Sequence, residues 1–193
     1  MSAEPKQLRL FVAVELPADV RQAIGRLIEP FRTLEGFRWT PLENLHLTLA
    51  FLGWVRPDPQ VIDDIHRRLA GAAADLVPIE VRIGGAGGFP ERGRVRVLWV
   101  GFDDPAGELA DLANAVRVAL GDRFPPDERP FRPHVTVARA KRPVRVAVPA
   151  TDAVGPSFRA DAITLFRSRL GGAHARYEAL ARWPMGAQPV RIP

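Results

Sequence analysis

The sequence predicts an α+β fold made of two similar lobes, and three observations support this prediction. Apolar residues recur at spacings typical of strands and then of helices along the chain. A strand, a helix, a proline-bearing loop and a histidine-bearing strand follow one another twice. No linker or low-complexity stretch divides the 193 residues. We therefore expect one bilobal domain over residues 1–193, with pseudo-twofold-related lobes of mainly antiparallel sheet, outer helices and a cleft between them.

The first half of the chain alternates strands and helices whose ends are marked by proline or glycine. The predicted elements are strands at 8–16, 45–52 and 79–83 and helices at 18–29 and 59–74. Pro17, Pro30 and Gly53 end the first three of them in chain order. We interpret the glycine run 84–88 as a connection between strands, since its spacing matches no phosphate-binding loop.

The second half continues the pattern and closes with a hairpin. The predicted elements are strands at 95–102, 134–138, 163–170 and 173–183 and a helix at 106–120. Four prolines exclude a helix from residues 122–133. Gly171 and Gly172 indicate the hairpin turn. The stretch from Ala140 to Ser157 is ambiguous, and an edge strand at 144–148 is one interpretation.

Composition limits the classes of function. The chain has 27 Lys and Arg against 22 Asp and Glu, and only Lys6 and Lys141 are lysines. Guanidinium groups suit phosphate recognition, so a polyanionic ligand is as good an explanation of this bias as a GC-rich genome. The absence of cysteine excludes disulfides, a thiolate nucleophile and a cysteine-built zinc site.

Nothing in the sequence indicates a membrane segment. No eighteen apolar residues run together, and the early apolar run 10–14 is flanked by Arg9 and Glu15. The start of the chain therefore does not match a secretory signal. We expect a cytoplasmic protein.

A pair of matching histidine motifs carries the chemistry. Each histidine is followed by an apolar residue, a threonine and another apolar residue, at His46 with Thr48 and at His134 with Thr136. Residues two apart in a strand share a face, so each histidine lies beside its threonine. For one motif alone, an ordinary polar strand face is the better explanation, whereas two motifs in matching contexts favour a shared cleft.

Such a cleft suits substitution at a phosphate. One imidazole can take a proton from the nucleophile while the other gives one to the leaving oxygen. The threonine hydroxyls can donate hydrogen bonds to the other phosphate oxygens. His66 and His174 are more simply explained as solvated surface residues. The chain has neither a His-Glu-x-x-His motif nor a Gly-x-Ser-x-Gly motif, so we expect no metal and no cofactor.

The segments 39–53 and 130–139, together with 9–17 and 176–184, resemble the two-histidine phosphoesterase superfamily. The similarity is to its RNA 2',3'-cyclic phosphodiesterases, the LigT-like proteins formerly called 2'-5' RNA ligases, and it covers nearly the whole chain. The resemblance implies that His46 donates a proton to the leaving O3', that His134 activates water, and that Thr48 and Thr136 hold the phosphate. The product would be a 2'-phosphomonoester. The motifs themselves are nearly symmetric and do not distinguish acid from base.

The resemblance also implies a phosphate-binding arginine after the second motif. Here that residue is Arg139, which strict alternation from His134 would place on the opposite face, so a bulge or the end of the strand must turn it inward. Arg132 has the right parity and is the second candidate.

Three functions remain open at this point. The first is a metal-independent phosphodiesterase acting on RNA or nucleotide 2',3'-cyclic phosphates. The second is a module that binds RNA ends or nucleotides without turnover, and the third is a related phosphodiesterase for a small cyclic nucleotide. We expect a monomer, because the internal repeat supplies both halves of the cleft.

Overall fold

The computed structural model describes residues 7–124, 130–146, 155–169, 171 and 174–186, and all structural statements below concern these residues. The strands are β1 Leu8–Glu15, β2 Phe37–Trp39, β3 His46–Val55, β4 Ile79–Phe89, β5 Val95–Asp103, β6 His134–Val144, β7 Ser157–Ala160, β8 Ala162–Arg169 and β9 Arg176–Pro184. The helices are α1 Ala18–Ile28, α2 Pro59–Asp75 and α3 Glu108–Leu120, with 3-10 turns at Glu29–Phe31 and Leu42–Asn44.

The strands form two antiparallel sheets that correspond to each other. The first sheet has the order β3-β1-β8-β9 and the second has the order β2-β6-β5-β4-β7. In each sheet the histidine strand lies beside the strand of that sheet that comes before it in the chain, and one α-helix lies between the two: β3 is beside β1, and β6 is beside β5. Apart from β2, each order begins with this pair and continues with two further strands, β8 and β9 or β4 and β7. The predicted α+β class and its internal repeat are confirmed.

Alternation at the start of β3 and β6 separates buried apolar residues from partly exposed histidine and threonine, whereas the middle of β1 is buried on both faces. Leu10, Val12 and Val14 of β1 are at most 2% exposed, and Leu47 of β3 is fully buried. The helices α2 and α3 pack on each other and against β9 and β3, respectively. Buried apolar residues of both sheets form one cluster. Within the described residues, no helix is both long enough and apolar enough to cross a membrane.

The interpretation of residues 84–88 as a connection is wrong, because β4 runs through them to Phe89. A Cβ at Gly84 would lie 2.9 Å from the backbone nitrogen of Asp103 in the neighbouring strand. A Cβ at Gly87 would lie 2.3 Å from Cζ2 of Trp99. These glycines therefore permit close approach within the sheet, and a bulge between Ile83 and Ala86 accompanies them.

The short strands were the least predictable from sequence. β6 continues to Val144, beyond the predicted end at Ala138, because it pairs with β2 on one side and with β5 on the other. β2 and β7 were not predicted. Of the proposed edge strand 144–148, Val144 ends β6 and residues 147–148 lie outside the described residues. The closing hairpin is present as the antiparallel pair β8 and β9, although 170, 172 and 173 also lie outside the described residues.

Candidate active site

His46 and His134 are anchored in the same way at the first residues of β3 and β6. The Nδ1 atom of each ring lies 2.7 Å from the backbone carbonyl oxygen two residues earlier, that of Asn44 or of Arg132. A carbonyl oxygen only accepts, so each Nδ1 carries a hydrogen and donates it. The Nε2 atom of each neutral ring is left as a proton acceptor, and the same atom becomes a donor when the ring is charged.

The two histidines lie close enough to Arg139 for its charge to act on both of them. The charge of Arg139 acts on both rings, and the charge of His134 acts on His46. The histidine strands contact each other across the two sheets, and the backbone nitrogen of Thr40 donates to the Val137 oxygen at 2.8 Å. One imidazole from each sheet thus lies within electrostatic range of Arg139, and His46 lies within that range of His134.

Burial makes both imidazoles hard to protonate. Desolvation is the main cause that lowers the pKa of His46 to about 4; the positive charges of Arg139 and His134 add to it, and the Asn44 hydrogen bond opposes it. Desolvation also lowers the pKa of His134, again with a contribution from Arg139 and against the hydrogen bond to the Arg132 carbonyl. Both rings are therefore neutral at neutral pH in the free protein, and an anion between them would favour protonation.

Aromatic rings supply the burial on the first side of the cleft. The ring of Phe11 lies 4.8 Å from that of His46, and the ring of Tyr177 meets His46 edge-on at 5.0 Å. Asn44 links His46 to the residue just before β9. Its carbonyl oxygen accepts from His46, and its side-chain amide donates to the Ala175 carbonyl at 2.9 Å. The position of β9, and with it Tyr177, is thus tied to the anchor of His46.

The second side repeats this arrangement with other residues. Phe89 of β4 meets the His134 ring edge-on at 5.1 Å, and Trp99 of β5 lies 5.4 Å from Phe89. Trp99 itself occupies the space left by the missing side chains of Gly87 and Gly101. Each histidine is consequently held against aromatic rings from other strands of its own sheet.

Sequence reasoning missed these aromatic neighbours, although signals for two of them were present. Alternation in β1 places Phe11 on the face opposite Leu10 and Val12. Leu10 and Val12 mark the core face, so a large aromatic ring on the other face indicates something that packs there. Tyr177 is the single tyrosine of the chain. Phe89 follows a glycine run that hid the end of β4.

Arg139 reaches the cleft through an irregularity in β6. Trp99 pairs with Thr136 and Leu98 pairs with Ala138, so Val137 is an extra residue on the β6 side. This is the bulge that the alternation from His134 requires, and it returns Arg139 to the face of Thr136. Nη2 of Arg139 donates to Oγ1 of Thr136 at 3.3 Å.

The remaining predicted site residues differ in their surroundings. Thr48 is partly exposed two residues beyond His46 and pairs with Ala13 of β1. The guanidinium of Arg132 forms an ion pair with Glu91, and its side chain is 56% exposed. Its backbone carbonyl is what contacts His134. Arg132 therefore lies at the site with its charge already partnered.

The other two histidines stand apart from this cleft. His174 is exposed, as expected. His66 is only partly exposed, because the ring of Trp183 covers it edge-on at 5.4 Å. Within the described residues, no group of three or more His, Cys, Asp or Glu side chains is arranged to hold a metal ion.

Comparison with curated proteins gives consistent relatives. An RNA 2',3'-cyclic phosphodiesterase of Thermus thermophilus is 34% identical over 95% of this chain and 93% of its own length. A protein of the same name from Geobacillus stearothermophilus is 31% identical over 95% of this chain, which spans 59% of that longer relative.

Solved structures share the fold over nearly the whole chain. The crystal structure of TT0787 from Thermus thermophilus superposes with a TM-score of 0.81 at 30% identity, covering 94% of this chain and all of that one. E. coli LigT complexed with 3'-AMP gives a TM-score of 0.79 at 29% identity, covering 94% of this chain and 99% of that one. The family model described as the 2'-5' RNA ligase superfamily matches residues 16–172. With this match and relatives of such identity and coverage, the chain belongs to the 2'-5' RNA ligase superfamily.

Proposed function

We propose that this protein is a metal-independent RNA 2',3'-cyclic phosphodiesterase that opens terminal cyclic phosphates to 2'-phosphomonoesters. The proposal places the reaction in one bilobal domain that acts as a cytoplasmic monomer. It is carried by one observation, the pair of Nδ1-anchored histidines whose pKa values are both lowered by the charge of Arg139, which itself donates to Thr136. Relatives of 31 to 34% identity named RNA 2',3'-cyclic phosphodiesterases support the same reaction class.

In this mechanism the two imidazoles move one proton each. Nε2 of neutral His134 accepts a proton from water, whose oxygen forms a new bond to phosphorus. The bond from phosphorus to O3' breaks, and Nε2 of charged His46 donates its proton to O3'. The 2'-ester bond stays intact, so the product is a 2'-phosphomonoester. Proton exchange with solvent then restores the starting state of the pair.

The other cleft residues act on the charge of the phosphate. We assign the Thr48 and Thr136 hydroxyls and the Arg139 guanidinium to its non-bridging oxygens, where donors oriented in advance stabilise developing charge. Arg139 is favourably placed because it already donates to Thr136. Arg132 is the second candidate for this role, with Glu91 as a competing partner.

Because the pKa of His46 is low, substrate binding is needed to protonate this histidine. A neutral His46 cannot donate a proton to O3', yet burial favours that neutral form in the free protein. The negative charge of a bound phosphate stabilises the imidazolium and raises its pKa. The acid is therefore formed in the complex with substrate rather than held ready in the free protein.

The alternative of a binding module without turnover fits these observations less well. Two partly buried, neutral imidazoles are poor anion ligands in the free protein, and arginine or lysine would serve binding alone better. A small cyclic nucleotide as the physiological substrate would use the same residues. Comparing turnover of an oligonucleotide with that of a mononucleotide separates this possibility from an RNA substrate.

The proposal is tested with a dinucleotide that ends in a 2',3'-cyclic phosphate, incubated in EDTA. Phosphorus NMR should show a single new 2'-phosphomonoester signal. A 3'-phosphate would contradict the assignment of O3' as leaving group, and loss of activity in EDTA that zinc or magnesium restores would contradict metal independence. Binding of the dinucleotide without any product would favour the binding module.

A further inference from the structure

The face of β3 that carries His46 continues beyond the site as a row of aromatic side chains. Two bulges interrupt the pairing of β1 with β3, and each shifts the alternation of β3 by one residue. Every second residue of β1 therefore faces a β3 residue on this side of the sheet: Ala13 faces Thr48, Phe11 faces Phe51 and Arg9 faces Trp54. Gly53 has a φ of 72° beside the second bulge, a backbone conformation that favours glycine.

Ring contacts agree with this assignment of faces. The buried ring of Phe11 lies 4.8 Å from His46 and 6.1 Å from Phe51, so these two residues lie on the same side of the sheet. Counted on their paired β1 residues Glu15, Phe11 and Arg9, at about 3.3 Å of rise per residue, Phe51 and Trp54 lie roughly 13 and 20 Å along the strand from His46. A mononucleotide held at the histidines would not extend to Trp54.

These two rings are unusually open. Phe51 is 60% exposed and Trp54 is 57% exposed, whereas Phe11 beside them is 3% exposed. The other large apolar side chains that are exposed in the described part of the chain are aliphatic, Val77 and Val118, and lie outside this strand. Exposed aromatic rings in a row on one sheet face indicate a binding surface more than scattered exposure does.

Positive charge accompanies the row. Arg9 lies opposite Trp54, and its charge acts on Arg139, so the two guanidinium groups are close enough to repel each other. Arg56 is exposed two residues after Trp54. A row of rings flanked by arginines is complementary to single-stranded nucleic acid, whose bases stack on aromatic rings while its phosphates pair with cations.

We propose that Phe51 and Trp54 bind the single-stranded RNA that immediately precedes the cyclic phosphate, each ring stacking on one base. The inference rests on the proposed function, since it continues the substrate outward from the histidine pair. It assigns to the protein a preference for oligonucleotides over mononucleotides, with stacking as its source. Because stacking tolerates any base, the preference depends on length more than on sequence.

The test compares two substrates across variants of the outer ring. Cytidine 2',3'-cyclic monophosphate and a tetranucleotide ending in the same group are assayed for kcat/KM, and the result is the ratio of the two values. The wild type should favour the tetranucleotide, and Trp54→Ala should lower the ratio about fivefold or more, the loss of one stacked base. Trp54→Phe should keep most of the ratio and Trp54→Leu should not, because leucine retains apolar area without a ring. Val118→Ala is the control for losing an exposed apolar side chain elsewhere.

Each other outcome overturns a distinct statement. Turnover of the mononucleotide without a preference for the tetranucleotide, or a preference that survives in Trp54→Ala, contradicts the inference and leaves the proposed function standing. Absence of turnover on both substrates by the wild type contradicts the proposed function and the inference with it. Another outcome, in light scattering, is a wild-type dimer that becomes a monomer in Trp54→Ala. That result would assign this face to contact with a second copy of the chain and overturn the proposal that Phe51 and Trp54 bind RNA.

Discussion

Two backbone carbonyls determine which nitrogen of each histidine takes part in proton transfer. The oxygens of Asn44 and Arg132 hold the Nδ1 hydrogens of His46 and His134, so each ring presents Nε2 to the cleft. The motif histidines and threonines could be found from spacing alone, because alternation in a strand is a local property. Their carbonyl partners and aromatic neighbours could not, since strand pairing and packing bring these together.

The pH dependence of activity should follow from the burial of the pair. Turnover needs one charged and one neutral imidazole, and the pKa of each is lowered, that of His46 to about 4. The population with one proton on the pair peaks between the two values, so the optimum of kcat/KM should lie below pH 6.5. The optimum of kcat should lie higher, because bound phosphate raises both pKa values. A kcat/KM optimum above pH 7 would contradict this account, as would an NMR titration in which inorganic phosphate leaves the His46 pKa unchanged.

The two candidate arginines should differ sharply when substituted. Arg139→Gln should lower kcat/KM by roughly a hundredfold, since a donor aimed at developing charge is lost. It should also raise the pKa of His46 in the free protein, because one of the charges that lower it is removed. Arg132→Gln is the matched control, and its effect should stay within about threefold because Glu91 already pairs with that guanidinium. Equal losses in kcat/KM would contradict the ranking of Arg139 ahead of Arg132, and a larger loss in Arg132→Gln would reverse it.

At the scale of elements, irregular strands position the site as much as regular ones. A bulge in β6 turns Arg139 toward Thr136, and glycines in β4 admit the ring of Trp99. The long elements with clear periodicity were predicted well, including β1, α2 and α3. β2 and β7 were missed because strands of three or four residues have too few positions for a pattern and are defined by their partners. The glycine run 84–88 was interpreted as a connection because glycine favours turns in general. In this structure the glycines of the run lie inside β4 and permit close packing between strands.

A pair of glycine substitutions separates these two uses of glycine. Gly87→Ala should lower the free energy of unfolding by about 1 to 3 kcal/mol, because the added Cβ would meet Trp99. Gly71→Ala is the control in α2, where nothing lies within 4 Å of the added atom. It should raise the free energy of unfolding by about 0.5 to 1 kcal/mol through helix propensity. Urea unfolding measures both, and a Gly87→Ala variant as stable as the wild type would contradict the packing role.

At the scale of the whole molecule, the proposed site is built from two similar parts of the chain. Each sheet supplies a histidine, a threonine and flanking rings, and the cleft needs both sheets because the two imidazoles come from different ones. The repeat was visible in the sequence as two similar motifs in similar contexts, and in each sheet the histidine strand pairs with the strand that lies one α-helix before it in the chain. How the two sheets approach each other was not predictable, since it depends on the buried cluster that both share.

The most direct test of the account is whether the two histidines act as one unit. Steady-state kcat on a 2',3'-cyclic phosphate is measured for His46→Ala, His134→Ala and the double variant, with exposed His174→Ala as the control. Each single substitution should remove most of the activity, and the kcat of the double variant should be only slightly below that of the less active single variant. Near wild-type turnover in either single variant, or losses that multiply in the double variant, would show that the two imidazoles do not serve one phosphorus atom.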